Sequence, residues 1–198
     1  MTPLPPISAL AASAEGRERA GAVKLVGLDV DGVLTDGGVY LGDVAGQRLE
    51  FKRYDIQDGL GIKMLQKAGI AVAIITGRVS DSVALRAQEL EVDELVQDRH
   101  ARKVIALREM ARKRNIGLEE IAFVGDDLPD VGVFRVVGLS VVVANATPDA
   151  VRAAHYRLTR VGGRGAVREF AEALLAARGE WERIADWYVA SREETTGV

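Results

Sequence analysis

Short apolar runs alternate along this chain with longer segments in which apolar residues recur every three or four positions. The runs predict buried strands, and the longer segments predict amphipathic helices. Strands that alternate with helices are typical of an α/β fold with a doubly wound, Rossmann-like, mostly parallel sheet and right-handed crossovers. The predicted strands are residues 23–28, 71–75, 94–96, 121–124 and 139–143. The predicted helices run from Asp58 to about Gly69, from Ser80 or Asp81 to Leu90, and over residues 103–115.

Three further segments, and a C-terminal tail, complete the predicted organisation. Residues 1–20 are rich in alanine and proline and predict a flexible N-terminal arm before a domain that spans residues 21–178. Residues 37–53 hold two short strand-like runs around a glycine-containing segment, which predicts a β-hairpin with a longer loop inserted after the first strand. The glycines of residues 162–165 predict a mobile loop.

The C-terminal tail, residues 179–198, places tryptophan, isoleucine, alanine, tyrosine and valine at helical spacing after Gly179. This pattern predicts a short amphipathic helix over about residues 180–190. Since a free tail rarely exposes several aromatic side chains together, we expect this helix to dock on its own or an adjacent subunit.

Composition narrows the class of protein. The chain has 198 residues, of which 48% are hydrophobic and 28% charged, with a net charge of -3. This balance gives no basic footprint for nucleic acid, and the absence of cysteine excludes disulfides, thiolate metal sites and a cysteine nucleophile. No apolar run approaches the ~20 residues that span a bilayer. The N-terminus also lacks the apolar region of a signal peptide, so a cytoplasmic protein without a membrane partner is expected.

Polar residues that could take part in catalysis or ligand binding follow the predicted strands. Asp29 and Asp31 end the first strand, Thr76 ends the second, and Asp126 follows the fourth. Lys103 begins the helix after the third. Each residue alone could be a solvated turn, a cap or a surface side chain, but the carboxyl ends of parallel strands meet at one edge of a sheet. Carboxylates, a hydroxyl and a lysine gathered there favour Mg²⁺ and a phosphoryl group.

The segments Asp-x-Asp-Gly-Val-Leu-Thr-Asp-Gly, Ile-Thr-Gly-Arg, Lys103 and Gly-Asp-Asp-Leu-Pro-Asp, in this order, resemble the four signature motifs of the haloacid dehalogenase superfamily of phosphohydrolases. The hairpin and residues 58–62 and 162–169 also resemble the family of phosphatases that act on 3-deoxy-D-manno-octulosonate (KDO) 8-phosphate in lipopolysaccharide precursor biosynthesis. The resemblance covers roughly residues 22–178.

The resemblance implies catalytic roles. Asp29 matches the nucleophile that forms an aspartyl-phosphate, and Asp31 matches the general acid that protonates the departing sugar oxygen and then activates water. Thr76 and Lys103 would bind the phosphoryl oxygens.

The resemblance also implies a Mg²⁺ site. The ion would be held by the Asp29 carboxylate, the Asp31 main-chain carbonyl and Asp126. Asp127 and Asp130 match groups that orient Lys103 or metal-bound water, and direct ligation by Asp127 stays open.

The expected substrate is a small sugar-acid phosphate, whose carboxylate needs a cation of its own. Arg78 and Arg86 are the candidates, because the arginine fork suits a carboxylate. The substrate-binding set implied by the resemblance further includes Asp58, Gly77 and Arg164. By resemblance, Arg78 favours the eight-carbon octulosonate over nine-carbon acids, which leaves a nine-carbon sugar-acid 9-phosphate or another small sugar phosphate as the alternative. Gln57 departs from the family, since many members carry arginine there.

Two classes of protein without catalytic turnover are alternatives to an enzyme. A signalling receiver module would carry its acceptor aspartate on the third strand, before the threonine and lysine, whereas the order here is acid, threonine, lysine, acid. An inactive scaffold is disfavoured because no motif residue is missing. The gaps between motifs are also too short for a cap domain, and the resemblance implies a homotetramer in which neighbouring subunits help close each site.

Overall fold

The computed structural model describes residues 4–193 of the chain. Its core is a six-stranded sheet in the order β5-β4-β1-β6-β7-β8, and every neighbouring pair is parallel. This topology confirms the predicted doubly wound α/β fold. The strands are β1 Leu25–Leu28, β4 Ala71–Thr76, β5 Glu94–Gln97, β6 Ile121–Gly125, β7 Leu139–Val142 and β8 Tyr156–Arg157. A separate antiparallel pair consists of β2 Tyr40–Val44 and β3 Gln47–Phe51.

Helices cover both faces of the sheet. Since successive strand residues point to opposite faces, Leu25 and Phe123 belong to one apolar cluster, whereas Val26 and Val124 belong to the other. Strands buried on both sides read as continuous apolar runs, which is why they were visible in the sequence. The helices are α1 Ala14–Ala22, α2 Ile56–Lys67, α3 Asp81–Glu89, α4 Lys103–Arg114, α5 Leu128–Phe134, α6 Pro148–Ala153, α7 Ala166–Ala177 and α8 Trp181–Glu193. The cluster on one face includes residues of α4, α5 and α6, and the other includes residues of α1, α2, α3, α7 and α8.

The N-terminal segment is not a loose arm, so the prediction for residues 1–20 is wrong over its described part. Ile7 and Leu10 are buried in the same apolar cluster as α7, and Ser13 caps α1 by accepting a hydrogen bond from Gly16 N at 2.9 Å. Pro6 pairs with Arg157 beside the edge strand β8. Two apolar side chains and a protected sheet edge stabilise this segment, and neither contact is local in sequence.

The hairpin has a tighter turn than predicted. Ala45 and Gly46 alone connect β2 to β3, with φ values of 53° and 79°. Two successive positive φ values are typical of a type I′ turn, whose twist matches the flanking strands. The strands leave four large side chains exposed to solvent: Tyr40, Leu41, Val44 and Phe51.

Helix α8 occupies the position predicted for a C-terminal helix and extends to Glu193. It contacts α2 and α7, buries Ile184, and places Trp187 below the Lys67 ammonium at 4.2 Å. Within residues 4–193, no helix is long and apolar enough to cross a membrane. The last five residues of the predicted tail lie outside the described part of the chain.

Candidate active site

The loop after β1 wraps around a single glycine. Thr35 N donates to Val30 O at 3.0 Å and closes a wide turn, inside which Gly32 has a φ of +90°. A Cβ atom at Gly32 would lie 2.1 Å from Oδ2 of Asp126. Glycine is therefore required here for two reasons. Its φ is positive, and a carboxylate from another loop approaches its Cα too closely for a side chain.

The loop after β6 is fixed by its own aspartates. Asp127 caps α5, since its Oδ1 accepts a hydrogen bond from Leu128 N at 2.7 Å. Asp130 Oδ2 accepts hydrogen bonds from Asp126 N at 2.9 Å and from Asp127 N at 3.3 Å. These bonds tie the start of the helix to the end of the strand and hold the Asp126 backbone in place.

Lys103 connects the two aspartate loops. Its Nζ lies 2.9 Å from Asp29 Oδ1 and 2.7 Å from Asp130 Oδ1, and its side chain is only 3% exposed. A buried ammonium requires paired acceptors, and here both are carboxylates. Asp29 Oδ1 also accepts a hydrogen bond from Val30 N at 2.7 Å.

Electrostatic repulsion is not fully offset in this cluster. Burial, reinforced by the charge of Asp130, raises the pKa of Asp29 to about 7 against the lowering effect of Lys103. Burial, together with the charges of Asp29, Asp130 and Asp127, raises the pKa of Asp126 to about 7. One lysine for three crowded acids leaves negative charge that a bound cation would offset.

The donor set suits a hard divalent cation. Asp29, Asp126 and Asp130 each present a carboxylate oxygen within 4.8 Å of the others. Asp126 Oδ1 is buried and has no hydrogen-bond partner among residues 4–193. Since both oxygens of Asp130 are engaged by Lys103 and backbone N–H groups, Asp29 and Asp126 are the carboxylates left to bind an ion. Oxygen ligands of this kind fit Mg²⁺.

A cavity of about 300 Å³ gathers these residues with the end of β4. Thr76 is buried there, and its Oγ1 accepts a hydrogen bond from Arg78 N at 3.2 Å. The structure thus brings together all four predicted catalytic residues and both predicted carboxylate ligands. The cavity is lined by Asp29, Asp31, Thr76, Gly77, Arg78, Ala101, Lys103, Asp126, Asp127 and Pro129.

The hairpin adds two charged residues that sequence reasoning missed. Lys52 forms an ion pair with Asp31 Oδ1, and its side chain is fully buried. Glu50 lies 3.4 Å from Lys52 Nζ and 2.8 Å from Arg78 Nη2. Arg78 Nε also lies 3.6 Å from Asp31 Oδ2. The available signal was the placement of opposite charges two residues apart at the end of the second hairpin strand.

Asp58 lies away from the cavity, although it was assigned to the substrate-binding set. Helix α2 begins at Ile56 with Asp55 as its cap, so Asp58 does not open the helix. The Asp58 side chain is buried and accepts hydrogen bonds from Gly165 N at 3.2 Å and Arg168 N at 2.9 Å. It therefore caps α7 from a neighbouring helix. Burial raises the pKa of Asp58 to about 6, against the lowering effect of these hydrogen bonds.

The two remaining arginines of the predicted set also lie outside the catalytic cavity. Arg86 binds Glu89 Oε2 at 2.8 Å and lies over the Tyr54 ring at 5.6 Å. It lines a neighbouring cavity of about 690 Å³ together with Lys52. Arg164 is exposed, and no hydrogen bond or ion pair joins its side chain to another residue within 4–193.

The glycine segment before α7 is packed, which corrects the expected mobile loop. Gly163 N donates to Val33 O at 2.8 Å, and Gly162 N donates to Asn145 Oδ1 at 3.0 Å. A Cβ atom at Gly162 would lie 1.7 Å from Gly32 O. The glycines permit close contact with the catalytic loop, so here they serve tight packing.

A parallel α/β sheet with an Asp-x-Asp loop, a threonine, a lysine and a second acidic loop at one edge is the architecture of a haloacid dehalogenase-like hydrolase. Residues 94–167 match that family directly. The chain belongs, within it, to the KDO 8-phosphate phosphatase family and is a phosphoric monoester hydrolase. It is 43% identical over 168 residues to the 3-deoxy-D-manno-octulosonate 8-phosphate phosphatase of Escherichia coli K12. The aligned region covers 85% of this chain and 87% of the relative.

Solved structures agree with this family. The Moraxella catarrhalis 3-deoxy-D-manno-octulosonate 8-phosphate phosphatase, in complex with magnesium, phosphate and KDO, is 37% identical with a TM-score of 0.81, covering 87% of this chain and 97% of that one. The cobalt-bound phosphatase of Haemophilus influenzae is 34% identical with a TM-score of 0.75, covering 82% and 93%. Both were solved with a divalent metal, and this chain has an acidic cluster of Asp29, Asp126 and Asp130.

Proposed function

We propose that this protein hydrolyses KDO 8-phosphate to KDO and phosphate, with Mg²⁺ as cofactor and an aspartyl-phosphate at Asp29 as intermediate. The observation that carries the proposal is the cluster of buried Asp29 and Lys103 with half-buried Asp126 at the sheet edge, in a chain 43% identical to phosphatases of that name. The reaction belongs to lipopolysaccharide precursor biosynthesis.

Three residues prepare the phosphoryl group. Lys103, held between Asp29 and Asp130, supplies a fixed positive charge for the phosphoryl oxygens. The Thr76 hydroxyl accepts from Arg78 N, so its own proton is available to a phosphoryl oxygen. The Asp29 and Asp126 carboxylates and the Asp31 carbonyl would hold Mg²⁺, which supplies charge stabilisation to the transferring phosphoryl group when bound.

Two aspartates divide the chemistry. Asp29 attacks phosphorus and forms a P–O bond as the bond to the sugar oxygen breaks, and Asp31 donates a proton to that oxygen. Asp31 then takes a proton from water, whose oxygen attacks phosphorus and releases Asp29 and phosphate. The short Asp29-Val30-Asp31 segment places both carboxylates on the same loop and in the same cavity.

The sugar acid would extend from this cavity toward the hairpin. The neighbouring cavity of about 690 Å³ is lined by three cationic side chains, Arg48, Lys52 and Arg86, and by three acidic ones, Glu50, Asp81 and Glu89. Lys52 contacts Asp31, so the two cavities share a wall. A substrate carboxylate far from the phosphate would need one of these cations, and Arg86 is our candidate, which would exchange its contact with Glu89 for the substrate.

Assembly and location form part of the same proposal. The four exposed apolar side chains of the hairpin would be covered in a homotetramer in which neighbouring subunits exclude water from each site. The enzyme would act in the cytoplasm, without a nucleic-acid partner.

A turnover panel tests the substrate. KDO 8-phosphate, nine-carbon sugar-acid 9-phosphates and small sugar phosphates would be compared at equal concentration, each with and without Mg²⁺. We expect repeated phosphate release with Mg²⁺ and the highest kcat/KM for KDO 8-phosphate. A higher kcat/KM for a nine-carbon acid would overturn the substrate assignment, and release of no more than one phosphate per chain would favour a receiver-like or inactive protein.

A further inference from the structure

Four charged side chains form a closed ring between the catalytic cavity and its neighbour, since Asp31 and Arg78 line the first and Glu50 and Lys52 the second. Lys52 and Arg78 each contact Asp31 and Glu50, so positive and negative groups alternate around the ring. Asp31 and Arg78 come from the sheet edge, whereas Glu50 lies in β3 and Lys52 one residue past its end. The ring is therefore the connection between the hairpin and the proposed acid-base residue.

The two contacts of Asp31 are unequal. Lys52 is ion-paired to Oδ1 and has a fully buried side chain, whereas Arg78 Nε is 3.6 Å from Oδ2 and its side chain is half-exposed. A buried lysine has few conformations open to it, so it restrains the group that it contacts more strongly than an exposed arginine does. Oδ1 is thus the fixed oxygen of Asp31, and Oδ2 is the oxygen with the looser contact.

Glu50 restrains Lys52 in turn. Glu50 lies in β3 and Lys52 lies one residue past its end, and the two side chains are in contact. The Glu50 carboxylate binds Arg78 at 2.8 Å through Oε2, and Oε1 lies 3.4 Å from Lys52 Nζ. Oε1 is buried and is in contact with the Lys52 ammonium, whereas Oε2 binds Arg78.

We propose that Lys52 is a positioning residue for Asp31. It fixes Oδ1, so that Oδ2 is the oxygen that gives its proton to the leaving group and later takes one from water. This inference rests on the acid-base role of Asp31 in the proposed function, and it adds a residue from outside the four signature motifs. A misplacement of about 1 Å in a catalytic group can cost about 100-fold in rate.

The test is the dependence of kcat/KM on the leaving group, measured with p-nitrophenyl, phenyl and benzyl phosphate. Only a poor leaving group needs the proton, and kcat/KM reports the first phosphoryl transfer. For Lys52→Met we expect a loss of about threefold or less with p-nitrophenyl phosphate and of about 10- to 100-fold with benzyl phosphate. Lys52→Arg, which keeps the cation, should recover most of the loss with benzyl phosphate.

Two further variants serve as references. Lys63→Met makes the same substitution at a lysine that pairs with Glu91 at 2.6 Å on the surface, and it should leave the whole series unchanged. Asp31→Asn should show the steepest dependence on the leaving group. A flat series in Asp31→Asn would remove the acid from the proposed function and this inference with it.

The outcome for Lys52 then decides the inference alone. The inference is overturned if Lys52→Met lowers kcat/KM equally for all three substrates, or for none, while Asp31→Asn shows a steep dependence of kcat/KM on the leaving group. The proposed function would then stay intact. If Lys52→Met does not fold, Glu50→Gln decides, because it removes the carboxylate that restrains Lys52. If kcat/KM of Glu50→Gln depends more steeply on the leaving group than that of wild type, the inference is supported. An unchanged dependence overturns it.

Discussion

Gly32 and Asp126 are in contact across two loops, so that a side chain at Gly32 would occupy the position of the Asp126 carboxylate, 2.1 Å from its Oδ2. The glycine of the first motif therefore creates the space in which the acid of the last motif approaches Asp29. Four separate sequence motifs form one site partly because this position has no Cβ.

Gly32→Ala should abolish Mg²⁺ binding, because the added methyl group displaces Asp126. We expect turnover to fall by at least about 100-fold, as for other misplaced catalytic groups. Isothermal titration with Mg²⁺ would measure the loss. Gly69→Ala is the matched control, since its φ is +80° and nothing lies within 4 Å of the added Cβ. It carries the same backbone strain and should bind Mg²⁺ normally, and weak binding in both variants would contradict the explanation.

Asp29→Asn and Asp31→Asn should each abolish turnover of a sugar phosphate while the protein stays folded. The first removes the nucleophile and the second removes the proton carrier, whose contribution is typically about 10²- to 10⁴-fold. Phosphate release and circular dichroism would check activity and fold. Near-normal turnover of a sugar phosphate by Asp29→Asn would exclude the covalent mechanism.

Asp126→Asn should stabilise the metal-free protein at pH 8. The pKa of Asp126 is raised to about 7 by burial and neighbouring carboxylates, so its ionisation costs stability above that pH. The neutral amide avoids this cost but removes an ion ligand. The expected result is a higher Tm without metal and a smaller rise in Tm on addition of Mg²⁺. A Mg²⁺ response equal to that of wild type would show that the ion binds elsewhere.

Asp58→Asn should destabilise the protein by about 1–3 kcal/mol, because an amide oxygen can replace only one of the two carboxylate oxygens that accept N–H groups of α7. The penalty should depend on pH. Burial raises the pKa of Asp58 from 3.8 to about 6, so the folded state holds this proton more tightly between those values.

The stability that wild type gains from this proton is complete below pH 4 and is lost as the pH rises through 6. The difference in unfolding free energy between wild type and Asp58→Asn should therefore be larger at pH 4.5 than at pH 7.5. Urea unfolding at both pH values measures it, and the other carboxylates are common to both proteins. A larger difference at pH 7.5 would contradict the prediction.

Arg86→Ala should raise KM for the sugar acid and leave hydrolysis of an aryl phosphate nearly unchanged. Loss of a charge-assisted carboxylate contact costs about 1.5–3 kcal/mol, or about 10- to 100-fold. Glu89→Ala is the control for the ion pair that Arg86 makes in the structure, and it should leave both KM values unchanged. Equal losses on both substrates in Arg86→Ala would mean that Arg86 serves the fold or the phosphate site.

The elements with a local signal were predictable from the sequence. A strand buried on both faces must be apolar throughout, so β1, β4 and β6 were evident, and parallel strands bring their carboxyl ends to one edge. Asp29, Thr76, Lys103 and Asp126 were therefore predicted to share a site, and the structure places them around one cavity. Helices α5 and α6 and the strand β8 were not predicted, because they have only 7, 6 and 2 residues. Helix α7 was not predicted either, although its 12 residues bury Val167, Phe170 and Leu174 at helical spacing, so its signal was present in the sequence.

The sequence by itself determined the class of fold, the edge of the sheet that carries the chemistry and the residue types gathered there, because periodicity and motif order depend on near neighbours in the chain. Only the tertiary structure decided the partner of each charge. It placed Lys52 of the hairpin on Asp31, moved Asp58 from the substrate-binding set to the end of α7, and buried Ile7 and Leu10 of the expected arm. Each of these contacts joins segments far apart in sequence, and its free energy depends on desolvation and packing that exist only once the chain has folded.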